Sequence, residues 1–169
     1  SLMCSGVFNW DFDYDNRKEF IQGIKDCMIA YNSILPEFER IPIELVLVQA
    51  LHESGSEGHS RFAKEGKNFF GIKAIHGEDH IVSLANASVK VRRFTRGCDS
   101  VIAYTDLLNE SYHYEDFREE RLHQYFVDEI NIEKLIETLS VYAEDKKYIS
   151  KLKDMAYTLR KEGIINENN

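Results

Sequence analysis

The chain is poor in proline, cysteine and positive charge, and each shortage excludes something. Two prolines and nine glycines among 169 residues leave no room for long linkers. A single domain over residues 1–169 is expected, with residues 1–15 as an N-terminal extension. The three cysteines, Cys4, Cys27 and Cys98, are odd in number and widely spaced. That is neither a disulfide framework nor a zinc site, and Cys27, in an amphipathic stretch, reads as a buried free thiol. No apolar run reaches the roughly 18 residues of a membrane-spanning helix, so no transmembrane segment is expected. No signal peptide is visible, which says little about location. Lys and Arg number 21 against 29 Asp and Glu, giving a formal charge of -8. Such a chain is a poor partner for nucleic acid and for an anionic membrane surface, but it is compatible with a neutral or amino-sugar ligand.

What is present is mostly helical. Asp15 or Asn16 can cap a first helix whose apolar positions Phe20, Ile21, Ile24, Met28 and Tyr31 follow helical spacing, ending near Leu35-Pro36. The second helix starts at Pro42 and is apolar on most sides through Leu51. "SRFAKEGKNFFG" reads as a short helix closed by Gly66. From about 68 to 95 the texture changes to short β-branched runs, "FFGIKAI", "HIVSL" and "SVKVRRF", with a turn at "HGED". This predicts a small antiparallel hairpin with a third strand. Helices then resume, one capped by Asp99 or Ser100 and the last capped by Asp145, with Tyr148, Leu152, Met155, Ala156 and Leu159 on one face, and ended by Gly163. The fold class is α+β, mainly helical, with a small β lobe inserted between helices. A groove between the two parts suits an extended substrate.

The chemistry concentrates at the end of the second helix. Gln49 and Glu53 lie four apart and share a helix face. A carboxyl group in apolar surroundings has a raised pKa, and the negative end of the helix dipole pushes the same way. A carboxylic acid still protonated near neutral pH is what general-acid catalysis needs. Ser54-Gly55 break the helix, so the acid sits at its mouth. His52-Glu53 is not a zinc-protease motif, because the required second His would fall on Ser56. His76 and His80 flank "GED", which reads as a polar hairpin tip. There is no phosphate-binding glycine loop and no nucleophile elbow, and no metal or organic cofactor is implied.

The run "IPIELVLVQALHESGSEGHSRFAKEGKNFFGIKA" resembles the core of the glucosaminidase domain, glycoside hydrolase family seventy-three, most closely its Bax-like bacterial members. The shared features are Ala50 to Ser54, Ser60 to Ala63 and Asn68 to Gly71. Further on come the strand "VKVRRF", the helix with Ser-x-x-x-Tyr from Ser100 to Tyr104, the "YEDFR" segment, and "YAEDKKY" from Tyr142 to Tyr148. The resemblance runs from about Asn16 to Arg160. It implies a lysozyme-like fold and an endo-β-N-acetylglucosaminidase-type glycosidase. Such an enzyme cleaves β-1,4 links after N-acetylglucosamine, usually in a peptidoglycan glycan strand. It places the general acid on Glu53 and a late site tyrosine on Tyr142, and it sets Asn68, Phe69 and Phe70 in the loop beneath the groove. Gln49 and Tyr104 join them as substrate-site residues. The family substrate implies a periplasmic, extracellular or cell-envelope location.

The chain also departs from that pattern. Many members carry a tryptophan just after Glu-Ser, where this chain reads "ESGSEGHSRF" and offers Glu57 and His59 instead. Its one tryptophan is Trp10. Glycosidases commonly use two carboxyl groups, and the β segment "IVSLANA" holds none. The nearest are Glu78 and Asp79, and failing them the substrate's acetamido group can serve as nucleophile. Two readings follow: an active hydrolase, or a catalytically weakened glycan-binding or scaffold domain on the same fold. A protein-binding role would be signalled by Glu53 paired with Arg61 or Arg118 under cover.

Overall fold

The computed structural model describes residues 10–12, 16–55 and 60–166. Helix α1 (Arg17–Asn32) begins at Asn16, whose Oδ1 accepts from the backbone N–H of Lys18 and Glu19. Asp15, the alternative cap, lies outside the described residues. The helix ends at Asn32, earlier than expected, because the Asn32 side chain turns to pair with both backbone groups of Ile41. That pairing folds the chain back into α2 (Ile43–Ser54). Pro42 is the cap of α2 and not its first helical residue, and its carbonyl accepts from Leu45 and Val46. Leu45 through Leu51 are all buried. Such a continuous run is possible because α2 packs against α1 on one side and α6 and α7 on others.

Helix α3 (Arg61–Gly66) is capped by Ser60. It ends on Gly66, but the left-handed residue that closes it is Lys67, at φ 48°. Gly66 matters by closeness: a Cβ there would stand 2.7 Å from Ile81 Cδ1. The β lobe is smaller than the sequence suggests. Strands β1 (His80–Val82) and β2 (Lys90–Arg92) pair antiparallel with Ile81 opposite Val91. The expected third strand is reduced to one bridge, Lys73 to Val91. Residues 72–74 bond to β2 on both sides of that bridge, and then the Ile75–Glu78 turn draws the chain away.

Helix α4 (Gly97–Glu110) corrects the expected cap. Arg96 is the N-cap, and Asp99, three residues on, accepts from the Arg96 backbone and guanidinium. Ser100 is buried and bonds to the Gly97 carbonyl. Arg118 closes the other end of α4 by donating to the carbonyls of Leu108 and Ser111 at 2.9 and 2.7 Å. Helices α5 (Glu115–Val127), α6 (Ile132–Glu137) and α7 (Tyr148–Lys161) complete the body. Asp145 is not the cap of α7, which is Lys147; instead it accepts from the Lys147 N–H and orders the turn before the helix. Gly163, at φ 73°, ends α7.

The free-thiol reading of Cys27 is overturned. Cys27 of α1 and Cys98 of α4 form a disulfide, with Cα atoms 5.7 Å apart. A separation of 71 residues carries no pairing signal; the packing of α1 on α4 creates it. Cys4 lies outside the described residues. Trp10 sits near the start of α4, where its carbonyl accepts from Cys98 and the Arg96 guanidinium lies over its ring.

Candidate active site

Glu53 occupies the last turn of α2, and Gly55, at φ 80°, ends the helix beyond it. The side chain is half-buried and meets α7 directly: the Tyr148 hydroxyl donates to Glu53 Oε1 at 2.6 Å. One turn deeper, Gln49 Nε2 donates to the Tyr148 oxygen at 2.5 Å. The buried Tyr104 hydroxyl donates in turn to Gln49 Oε1. Three helices therefore place one relay, from Tyr104 of α4 through Gln49 of α2 and Tyr148 of α7 to Glu53.

Burial pushes the Glu53 carboxyl above the usual carboxylate range, and the Tyr148 hydrogen bond pulls it partly back. The tyrosines are displaced upward in return, by burial first and the nearby Glu53 charge after it for Tyr114 and Tyr148. Tyr114 reaches about 12. All of them stay neutral donors near neutral pH. Their rings form a continuous wall. Tyr148 is stacked parallel on Tyr142 at 6.0 Å, Tyr142 lies 6.2 Å from both Tyr104 and Tyr114, and Phe70 stacks on Tyr104 at 4.3 Å. His52 packs edgewise on Tyr148 at 5.3 Å, and burial, then Lys151, lowers its pKa.

The loop 68–72 closes the site from the β side. Asn68 is buried and makes four bonds: Nδ2 to the carbonyls of Ile72 and Arg92, and Oδ1 from the N–H of Phe70 and Ile72. Tyr142 ties the same loop to the helical body by donating to the Phe70 carbonyl at 2.6 Å. Gly71, at φ 66°, passes so near the acid that a Cβ would stand 3.3 Å from Glu53 Oε2. Asn68→Ala strips partners from buried backbone groups, so it is expected to cost about 2 kcal/mol or more. A denaturant titration checks this, and an unchanged midpoint would contradict it.

The structure thus joins Gln49, Glu53, Tyr104, Tyr142 and the 68–70 loop. Gln49, Asn68, Phe69, Phe70 and Tyr104 are each no more than 1% exposed, so in this conformation they shape the site from beneath its surface. Phe69 points into the main core, against Phe20 and Phe12. Glu78 and Asp79 stand apart in the β lobe's own turn. Glu78 accepts from Ile75 N–H at 2.8 Å and pairs with Arg92 at 3.0 Å, while Asp79 is largely exposed, 3.7 Å from Arg93. Glu57 and His59 lie outside the described residues. Arg61 bonds to Glu65 and to the Val82 carbonyl. With Arg118 spent on α4, neither arginine is the partner of Glu53. Sequence reasoning missed Tyr148 as a site residue: it reads as one of the apolar positions of α7, although it closes the "YAEDKKY" motif.

Comparison with known proteins matches the chain to a family. The model of the Glucosaminidase family, described as mannosyl-glycoprotein endo-beta-N-acetylglucosaminidase, matches residues 31–161. The chain is a member of the glucosaminidase family. Membership makes it a glycosidase. The same fold is found in the glycoside hydrolase domain of Salmonella typhimurium FlgJ, at a TM-score of 0.62 and 22% identity over 88% of this chain and 91% of that one. It is also found in the catalytic domain of the autolysin Auto from Listeria monocytogenes, at 0.59 and 16% identity over 96% and 94%. Among curated proteins none matches. These folds, with the helical body and its small antiparallel sheet, bear out the expected lysozyme-like α+β architecture.

Proposed function

We propose that this glucosaminidase-family chain hydrolyses β-1,4 links after N-acetylglucosamine in peptidoglycan strands, with Glu53 as the general acid. The observation that carries the reading is the setting of Glu53. It is half-buried at a helix mouth, free of any arginine partner among the described residues, raised in pKa by burial, and oriented by Tyr148. Peptidoglycan is favoured among glycans because one protein of similar fold is an autolysin. A disulfide between Cys27 and Cys98 suits the oxidising compartment in which a cell-envelope enzyme works.

In this reading Glu53 protonates the leaving glycosidic oxygen. Tyr142, Phe70 and Asn68 hold the loop against which the sugar lies, and Gln49 and Tyr104 fix Tyr148. The oxocarbenium-like centre needs a second group. Glu78 is engaged by Arg92 and the Ile75 N–H, which favours the substrate's own acetamido oxygen over Glu78 or Asp79. The deciding experiment is mass spectrometry of purified peptidoglycan after digestion. New reducing ends on N-acetylglucosamine support the reading. Ends on N-acetylmuramic acid keep a hydrolase but overturn the bond assignment. Glycan binding without product supports the weakened-domain reading instead.

Tyr148 gives a pH test. Its hydrogen bond stabilises the ionised carboxylate, so Tyr148→Phe removes a depressing influence and the Glu53 pKa rises further. The alkaline limb of the pH–rate profile, where the acid loses its proton, is expected to move to higher pH. A limb that stays in place would remove Tyr148 from the acid's control.

A further inference from the structure

The two carboxyl oxygens of Glu53 are not equivalent. Oε1 accepts the Tyr148 hydroxyl hydrogen, and the Tyr148 oxygen is in turn an acceptor for Gln49. A hydroxyl has one hydrogen, so Tyr148 cannot also receive a proton carried on Oε1. Turning the Gln49 amide over would reverse the relay, but it would leave the hydrogen of the fully buried Tyr104 hydroxyl without an acceptor among the described residues. A proton on Glu53 therefore sits on Oε2. That oxygen faces Gly71: among the described residues, the chain neighbours of Gly71 aside, it is the one atom within 4 Å of where a Cβ on residue 71 would be, at 3.3 Å.

We propose that Glu53 delivers its proton from Oε2 across the space left by Gly71, which makes Gly71 the positioning residue that seats the glycosidic oxygen against the acid. This rests on the reading of Glu53 as general acid. The proton passes from Oε2 to the glycosidic oxygen as the C1–O bond breaks, and the bonding pair leaves with that oxygen as a neutral sugar alcohol. Glu53 is left as a carboxylate whose charge Tyr148 holds at Oε1. Water adds at C1, and the proton it gives up restores the acid. A methyl group at residue 71 would occupy the place of the incoming oxygen and spoil proton delivery more than sugar binding.

The test compares Gly71→Ala with Gly163→Ala. Both glycines have positive φ, at 66° and 73°, so both variants carry similar backbone strain, but a Cβ at 163 meets nothing within 4 Å among the described residues. Each is assayed on soluble peptidoglycan strands and on a 4-nitrophenyl chitooligosaccharide, whose leaving group needs little protonation. Gly71→Ala is expected to lose about 30-fold or more in kcat on the strands, within the span of acid catalysis, and less than about threefold on the nitrophenyl substrate. Gly163→Ala should change neither by more than about twofold. Gly71→Asn, which tolerates the left-handed backbone, guards against a folding failure and should show the same selective loss. Equal loss on both substrates, or none on the strands, overturns the proposal. Glu53→Gln separates the two levels. If it keeps strand hydrolysis, or the wild type turns over neither substrate, the reading of Glu53 itself fails. If it shows the selective loss and the residue 71 variants do not, only the role of Gly71 falls.

Discussion

Replacing Glu53 by Gln is expected to lower kcat on peptidoglycan strands by about 10²- to 10⁴-fold, the usual range for a lost general acid, while the fold survives. Gln is nearly isosteric and its oxygen can still accept from Tyr148, so the relay through Gln49 and Tyr104 stays intact. What disappears is the transferable proton. Stability should move the other way. Because the folded state holds the Glu53 carboxyl above its ordinary range, the unfolded chain binds fewer protons there. Glu53 therefore takes stability away as pH rises from the unfolded through the folded pKa. Gln removes that penalty. The variant should be at least as stable as the wild type at pH 8, with the difference fading below the ordinary carboxylate range. A variant that is inactive and also unfolded near neutral pH would contradict both halves, and circular dichroism beside the kinetics decides.

Removing the Cys27–Cys98 disulfide is the second large effect. The cross-link closes a loop of 71 residues. On the chain-entropy account it stabilises the folded state by about 4 kcal/mol. The double variant Cys27→Ala with Cys98→Ala should lose most of this in a denaturant titration, and reduced wild type should fall to the same midpoint. Both sulfurs are buried, so the count of thiols must be made on denatured protein. Without reductant, one of the three cysteines should titrate. Three reactive thiols would return Cys27 to the free state that the sequence suggests.

The main helices and the place of Glu53 at the end of α2 were legible because they rest on local regularities. Helical spacing in α1 and α7, the unbroken apolar run of α2, and Gly55 breaking the helix beside Glu53 are all read within a few residues. Several misjudged details are places where one specific side-chain hydrogen bond overrides the propensity and periodicity of the stretch. Asn32 ends α1 early because Ile41 returns to meet it. Asp99 caps α4 from inside because Arg96 wraps back onto it. The run "FFGIKAI" shrinks to one bridge because the Ile75–Glu78 turn, held by the Glu78 side chain, pulls the chain off β2. Tyr148 looked like an apolar-face residue because periodicity reports burial of a ring and says nothing about where its hydroxyl ends.

The sequence by itself determined a helical body with a small β lobe, family membership, and a glutamate at the end of its most apolar helix. These depend on side-chain pattern along the chain, which short-range sterics and burial fix. Only the tertiary structure decided that Cys27 meets Cys98. It alone decided that Gln49, Tyr104 and Tyr148 form one relay, and that Gly71 faces the second oxygen of Glu53. Those pairings join residues up to 99 positions apart, and they arise from the packing of α1 on α4 and of α2 among its neighbours, a geometry that no local stretch contains.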